Sequence, residues 1–303
     1  MKKGINNFRS QSMLVMGTLI LSLAVVTSSC EGTATDNTDN PVTNQDTLVD
    51  EIGNNVSYQV PTPNELFSII KDVNISFDAG VLNDPANSDK YTTKKTQALN
   101  FGVYSADLAF AASFDAGNES LKYFSVIKNI GDVLNVNNAF DQTVFDRIEK
   151  NIQEGQSDSL FKLSDETYYN AYSYLEENKR GTTLALIVLG GWVESLYIMM
   201  NLGEFEEGNA LSSSIADQKL TLENLLQFMS DYQDDDEVME MMESLVDLEV
   251  IFSELDQSDF EEVSTSLEGD VTMFEGGSDL VLSEEKFVEL KEAVNALRTS
   301  IVE

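Results

Sequence analysis

Two carboxylates sit in surroundings that carboxylates usually avoid. Asp107 lies in the run ALNFGVYSADL (98–108) and Glu194 in GGWVESLY (190–197), each among apolar neighbours. A carboxylate in such company must find a partner or keep its proton. Facing one cleft about 5–9 Å apart, the two could work as acid and base on a glycosidic bond, or they could hold a cation. The plainer alternative is that each accepts hydrogen bonds from Tyr, Asn or Arg180 and fixes helix register. Tyr104, Trp192 and Tyr197 lie beside them, so Asp107, Tyr104, Trp192, Glu194 and Tyr197 form the candidate ligand-binding set. Tyr168, Tyr169, Tyr172 and Tyr174 form a second aromatic group that, with Trp192, could line a sugar- or peptide-binding cleft. Tyr168 and Tyr172, four apart, also read as ordinary helix packing with a wet hydroxyl.

What the chain lacks narrows the chemistry further. It contains no histidine and one cysteine, Cys30. Histidine-based triads, histidine-ligated zinc or iron and histidine pH switches are therefore excluded. The acidic run at 231–237 invites a calcium reading, but it lacks the central glycine and the spaced terminal Glu of a helix-loop-helix calcium site. It reads better as a helix start, where acids favour the positive end of the dipole. Gly190-Gly191 stands in no phosphate-loop pattern. The residues give no catalytic, cofactor or metal assignment.

Cys30 has its own explanation. Lys2, Lys3 and Arg9 form a basic leader, an apolar run covers 13–26, and Thr27-Ser28-Ser29 precede the cysteine. That order is a secretory signal, and small residues before the only cysteine make it a bacterial lipoprotein signal, with Cys30 as the lipid-bearing N-terminus. The apolar run is short for a membrane span of about 20 residues. Lipidation also explains why a chain with one cysteine has no second one to pair with. Several acyl chains would hold it firmly, at about 0.8 kcal/mol per buried methylene. The expected organisation is a signal peptide over 1–29, the lipidated cysteine and a flexible tether over 30–58, and a folded domain over 59–303. The tether is rich in Thr, Asn, Asp and Gly and spans about 30 Å as a coil.

Charge excludes another class of partner. The chain has 53 acidic and 18 basic residues, a net charge of −35. From Leu220 through Glu285 there are 21 acids and no Lys or Arg. Such a surface repels phosphates, which speaks against nucleic acid. It could attract cations or a basic partner, or simply keep the protein soluble.

The elements that must position the candidate acids are helices. Apolar residues at helical spacing predict helices over 91–114, 119–134, 139–152, 158–178, 182–202, 210–232 and 235–255, and a last one over 284–302 capped by Ser283. Prolines and a polar cap at 61–64 mark another helix start. Residues 80–90 read as a loop, and 258–283 as a long loop or short hairpin. The segment 182–202 has nearly the length of a membrane span. Glu194 at its middle and the Gly190-Gly191 pair favour the buried centre of a bundle instead. The fold class is all-α: a single bundle of antiparallel helix pairs, eight or nine helices in all, with a strongly acidic C-terminal part. A faint echo between the runs around Gly102 and Gly191 raises the reading of two related halves.

The stretch YQVPTPNEL (58–66), then Lys90-Tyr91, ALNFGVYSADL and GGWVESLY resemble a group of uncharacterised helical lipoproteins of Bacteroidetes-type Gram-negative bacteria. The resemblance runs from Tyr58 to about Leu202. It implies an outer-membrane lipoprotein, facing the periplasm or the cell surface, with a helical domain and no assigned activity. The expected function is a non-enzymatic, membrane-anchored component that binds an envelope protein or a small ligand. The alternatives are a carboxylate-based, glycan-active enzyme using Asp107 and Glu194, and a cation-binding or structural envelope protein.

Overall fold

The computed structural model describes residues 60–68, 75–114, 116–136, 146, 147, 150, 151, 154 and 157–303, less 259, 260, 269, 270 and 278. The expected signal peptide and tether lie outside these residues. So does most of the helix expected over 139–152, although the described positions 146, 147, 150 and 151 are helical. Val56–Glu303 forms one compact unit, and all that follows concerns its described residues.

Helix α1 (Pro63–Phe67) starts where the prolines and polar cap predict. Thr62 and Glu65 close a capping box, with the Thr62 backbone N–H donating to Glu65 Oε2 at 2.7 Å. Short 3-10 turns at Ala79–Val81 and Pro85–Lys90 lead into α2 (Lys94–Ser113), capped by Thr93. Helix α3 (Gly117–Leu134) follows and ends at Asn135 in the left-handed region, φ 54°. Then come α4 (Ser157–Glu177), α5 (Gly181–Asn201) and α6 (Ala210–Ser230). Among the described residues the architecture is an all-α bundle, as the apolar spacing predicts.

Helices α2 and α5 form the centre of the bundle. Nearly every α5 residue from Leu184 to Met200 is buried, and so is α2 from Ala98 to Ala112. Helix α5 is long and apolar enough to cross a membrane, with 89% of its most apolar window buried inside the fold. The two helices approach backbone to backbone. A Cβ on Gly102 would collide with the Ile187 carbonyl and one on Gly190 with the Leu99 carbonyl. Glycine is required at both positions for contact this close.

The acidic segment departs from expectation. The single helix over 235–255 is two, α7 (Asp236–Glu243) and α8 (Val246–Ser253), separated by Ser244 and Leu245. No Gly or Pro marks the break. It turns the chain so that Val238 and Met241 on one side, and Leu245, Leu248 and Phe252 on the other, are all buried. Tertiary burial here overrides helix propensity. Asp235 caps α7, its Oδ1 accepting from Glu237 N at 3.0 Å and Val238 N at 3.3 Å. The segment 258–283 contains an antiparallel hairpin, β2 (Glu261–Glu268) with β3 (Val271–Gly277). It is framed by β1 (Asp256–Gln257) paired with β4 (Leu280–Val281). Helix α9 (Glu284–Val302) completes the bundle from its Ser283 cap.

Candidate functional site

Asp107 and Glu194 do meet, but in the core. On α2, Asn100, Tyr104 and Asp107 share one face by helical spacing, and all three are fully buried. Glu194 on α5 is also 0% exposed. The third element is α9, whose last turn is fixed by side chains that satisfy its free carbonyls. Asn100 Nδ2 donates to the Ile301 carbonyl at 2.9 Å, and the Tyr91 hydroxyl donates to the Val302 carbonyl at 3.1 Å. With α9 held there, Arg298 reaches Glu194 as a two-pronged clamp: Nε to Oε2 at 2.9 Å and Nη2 to Oε1 at 3.0 Å. The guanidinium lies 4.4 Å from the centre of the Tyr197 ring, a cation–π arrangement.

This corrects the partner named from sequence. Arg180 is not the base that serves the buried acids; it donates to the Leu134 carbonyl at 2.8 Å and closes the end of α3. Arg298 was legible in principle. It sits at the edge of the apolar stripe Phe287, Leu290, Val294, Leu297 and Ile301 on α9.

Electrostatics set the proton's place. Among the described residues no side-chain donor hydrogen-bonds either carboxyl oxygen of Asp107. Burial, and then the negative charge of Glu194, hold Asp107 well above its ordinary value of 3.8. Arg298 pulls it the other way, and so, weakly, does the nearby Asn83 backbone. Glu194 is also raised by burial, but its hydrogen bonds to Arg298, the Arg298 charge and a hydrogen bond with Asp107 all favour its ionised form. The consistent state is a neutral Asp107 that offers its proton to the Glu194 carboxylate, which Arg298 neutralises. Such an acid, carboxylate and guanidinium can hold three helices in register. The arrangement is chemically able to store a proton, but both acids are fully buried.

The other members of the candidate set are also packed inward. The Tyr104 hydroxyl donates to the Asp84 carbonyl at 3.0 Å. Trp192 is buried and its indole N–H donates to Gln218 Oε1 at 3.1 Å. Neither Gln218 nor Asn83, whose Nδ2 donates to Asn100 Oδ1 at 3.5 Å, was singled out from sequence.

The tyrosines of α4 are placed differently. Tyr168, Tyr169 and Tyr172 line a surface cleft of about 750 Å³. Asp165, Tyr168, Tyr172 and Glu176 fall at spacings of three and four, a single stripe along α4. The wall opposite comes from the α1 cap, where Thr62 donates its hydroxyl to Asp165 Oδ1 at 3.0 Å, and from Glu65; Asn224 of α6 adds an amide. Tyr169 is 63% exposed. Tyr168 is buried except for 8%, and among the described residues its hydroxyl makes no hydrogen bond. Trp192, expected with this group, stands apart from the cleft. Nothing in the sequence assigned Thr62, Glu65, Asp165, Glu176 or Asn224 to a cleft, because only folding brings them together.

Among the described residues no group of three or more Asp, Glu or Cys side chains converges as a metal ion would require. Comparison with protein-family models, with curated proteins and with solved structures finds no match for this chain.

Proposed function

We propose that this protein is a lipid-anchored, non-enzymatic binding component of the bacterial cell envelope. In this reading Cys30 carries the acyl anchor, residues 30–58 hold the domain clear of the outer membrane, and the tyrosine cleft of α4 receives the ligand. The resemblance to helical lipoproteins of Bacteroidetes-type bacteria fits the same picture. One observation carries the choice of site: the cleft pairs exposed aromatic surface with a polar group that makes no hydrogen bond among the described residues, the Tyr168 hydroxyl. A volume of about 750 Å³ lies within the usual range for small-ligand sites.

A second reading, a carboxylate enzyme acting on glycans, draws on the raised acid Asp107 beside Glu194. Full burial of both groups and the clamp of Arg298 on Glu194 count against it. Co-purification of the native protein from crosslinked membranes, with Cys30→Ala as control, tests the proposal. A membrane partner or ligand captured with the native chain, and a Cys30→Ala protein found outside the membrane fraction, are expected. A hydrolase activity abolished by Asp107→Asn would overturn it.

A further inference from the structure

We infer that the α4 cleft is selective for a ligand carrying an ammonium or guanidinium group. The inference rests on the reading of the cleft as the binding site and names the chemistry it takes.

Among the described residues three carboxylates line the cleft, Glu65, Asp165 and Glu176, and no Lys or Arg does. Among the described residues none of the three is within 4.0 Å of a basic nitrogen. One oxygen each of Glu65 and Asp165 is occupied by the α1 cap, through the Thr62 backbone and hydroxyl. Their other oxygens, and the whole Glu176 carboxylate, make no hydrogen bond among the described residues. The Tyr168 hydroxyl is likewise unpartnered among the described residues, and its ring lines the cleft together with those of Tyr169 and Tyr172.

Carboxylates beside aromatic faces have one strongly preferred guest, an organic cation. It can pair with the acids while lying over a ring. A neutral sugar would gain the stacking but leave the three charges without a counterion. An anion is repelled both locally and by a chain of net charge −35, whose field concentrates cations at the mouth of the cleft. Such a group occurs on free polyamines and on the Lys or Arg side chains of a peptide, and the cleft has room for either.

The test is calorimetric titration of the detergent-solubilised full-length protein with a tri-arginine peptide, with spermidine and with a neutral chito-oligosaccharide, at low and high salt. Tyr169→Ala and Glu176→Gln alter exposed cleft residues without disturbing the fold, and melting curves verify this. Glu207→Gln, an exposed acid away from the cleft, controls for general charge. The expected result is one cationic ligand bound per chain, weakened about tenfold by Tyr169→Ala or Glu176→Gln and unchanged by Glu207→Gln. The tighter of peptide and spermidine names the source. Cation binding equally indifferent to all three substitutions would overturn the inference, reducing it to general attraction to an acidic surface. Tyr169-dependent binding of the oligosaccharide, with no cation bound, would overturn the ligand class while keeping the cleft as the site. Absence of binding by any probe, with a ligand still captured from membranes by the native chain, would also overturn the class.

Discussion

At the scale of single residues, the buried trio of Asp107, Glu194 and Arg298 governs how stability responds to pH. Below the ordinary carboxylate value of 3.8, folded and unfolded chains both hold the Asp107 proton. Between that value and the raised folded one, only the folded chain holds it, so unfolding releases a proton and stability falls as pH rises. The slope approaches about 1.4 kcal/mol per pH unit and levels off above the folded value. Asp107→Asn keeps a donor toward Glu194 and has no proton to lose. Its melting temperature, followed from pH 5 to pH 9, is expected to decline less than that of the native protein. Parallel curves would contradict the assignment of the proton. Glu194→Gln is different in kind, because it strips the counter-ion from a guanidinium side chain that is only 15% exposed. A loss of about 3 kcal/mol is expected in denaturant unfolding. Tyr169→Ala, at 63% exposure, is expected to change stability by less than about 0.5 kcal/mol.

At the scale of elements, the contact of α2 with α5 depends on two missing side chains. Gly102→Ala and Gly190→Ala drive a methyl group into the backbone of the partner helix and are expected to cost about 3 kcal/mol each by chemical denaturation. Gly203→Ala, with nothing near its Cβ, is expected to be nearly neutral. If all three behaved alike, the close approach of the helices would be wrong. Removing the α7 cap by Asp235→Ala should cost about 1 kcal/mol. The helix starts after Thr62 and Ser283 and in the acidic run at Asp235 were legible because caps are local. Thr93 and Asn209, not singled out from sequence, also precede a helix and bond its first turn, and the helix expected from Tyr91 begins at Lys94. The break between α7 and α8 was not legible, since it serves burial of Leu245 and leaves no turn residue in the sequence. The two buried acids announced themselves by their apolar neighbours. Their shared partner did not, because Arg298 lies 104 residues beyond Glu194 and meets it only when α9 docks. The α4 tyrosines were legible as a group, whereas Glu65 and Asn224 reach the cleft from other helices.

At the scale of the whole molecule stand the charge and the proposed anchor. The net charge is −35, and the described acids other than Asp107 and Glu194 lie on exposed or half-buried faces, while the centre of the bundle is mostly apolar. Anchoring is expected to depend on Cys30 alone, so Cys30→Ala should leave the melting temperature of the domain unchanged and shift the protein from membrane to soluble fraction. Retention in the membrane would contradict the lipid anchor. The central claim is that binding belongs to the α4 cleft and that the buried acids are structural. Its most direct test is mass spectrometry of what co-purifies with the native protein, with Tyr169→Ala and with Asp107→Asn, each recovered from membranes under the same conditions. The account predicts a bound molecule on the native and Asp107→Asn proteins that is depleted about tenfold on Tyr169→Ala. Loss on Asp107→Asn with retention on Tyr169→Ala would contradict it and move the site to the core.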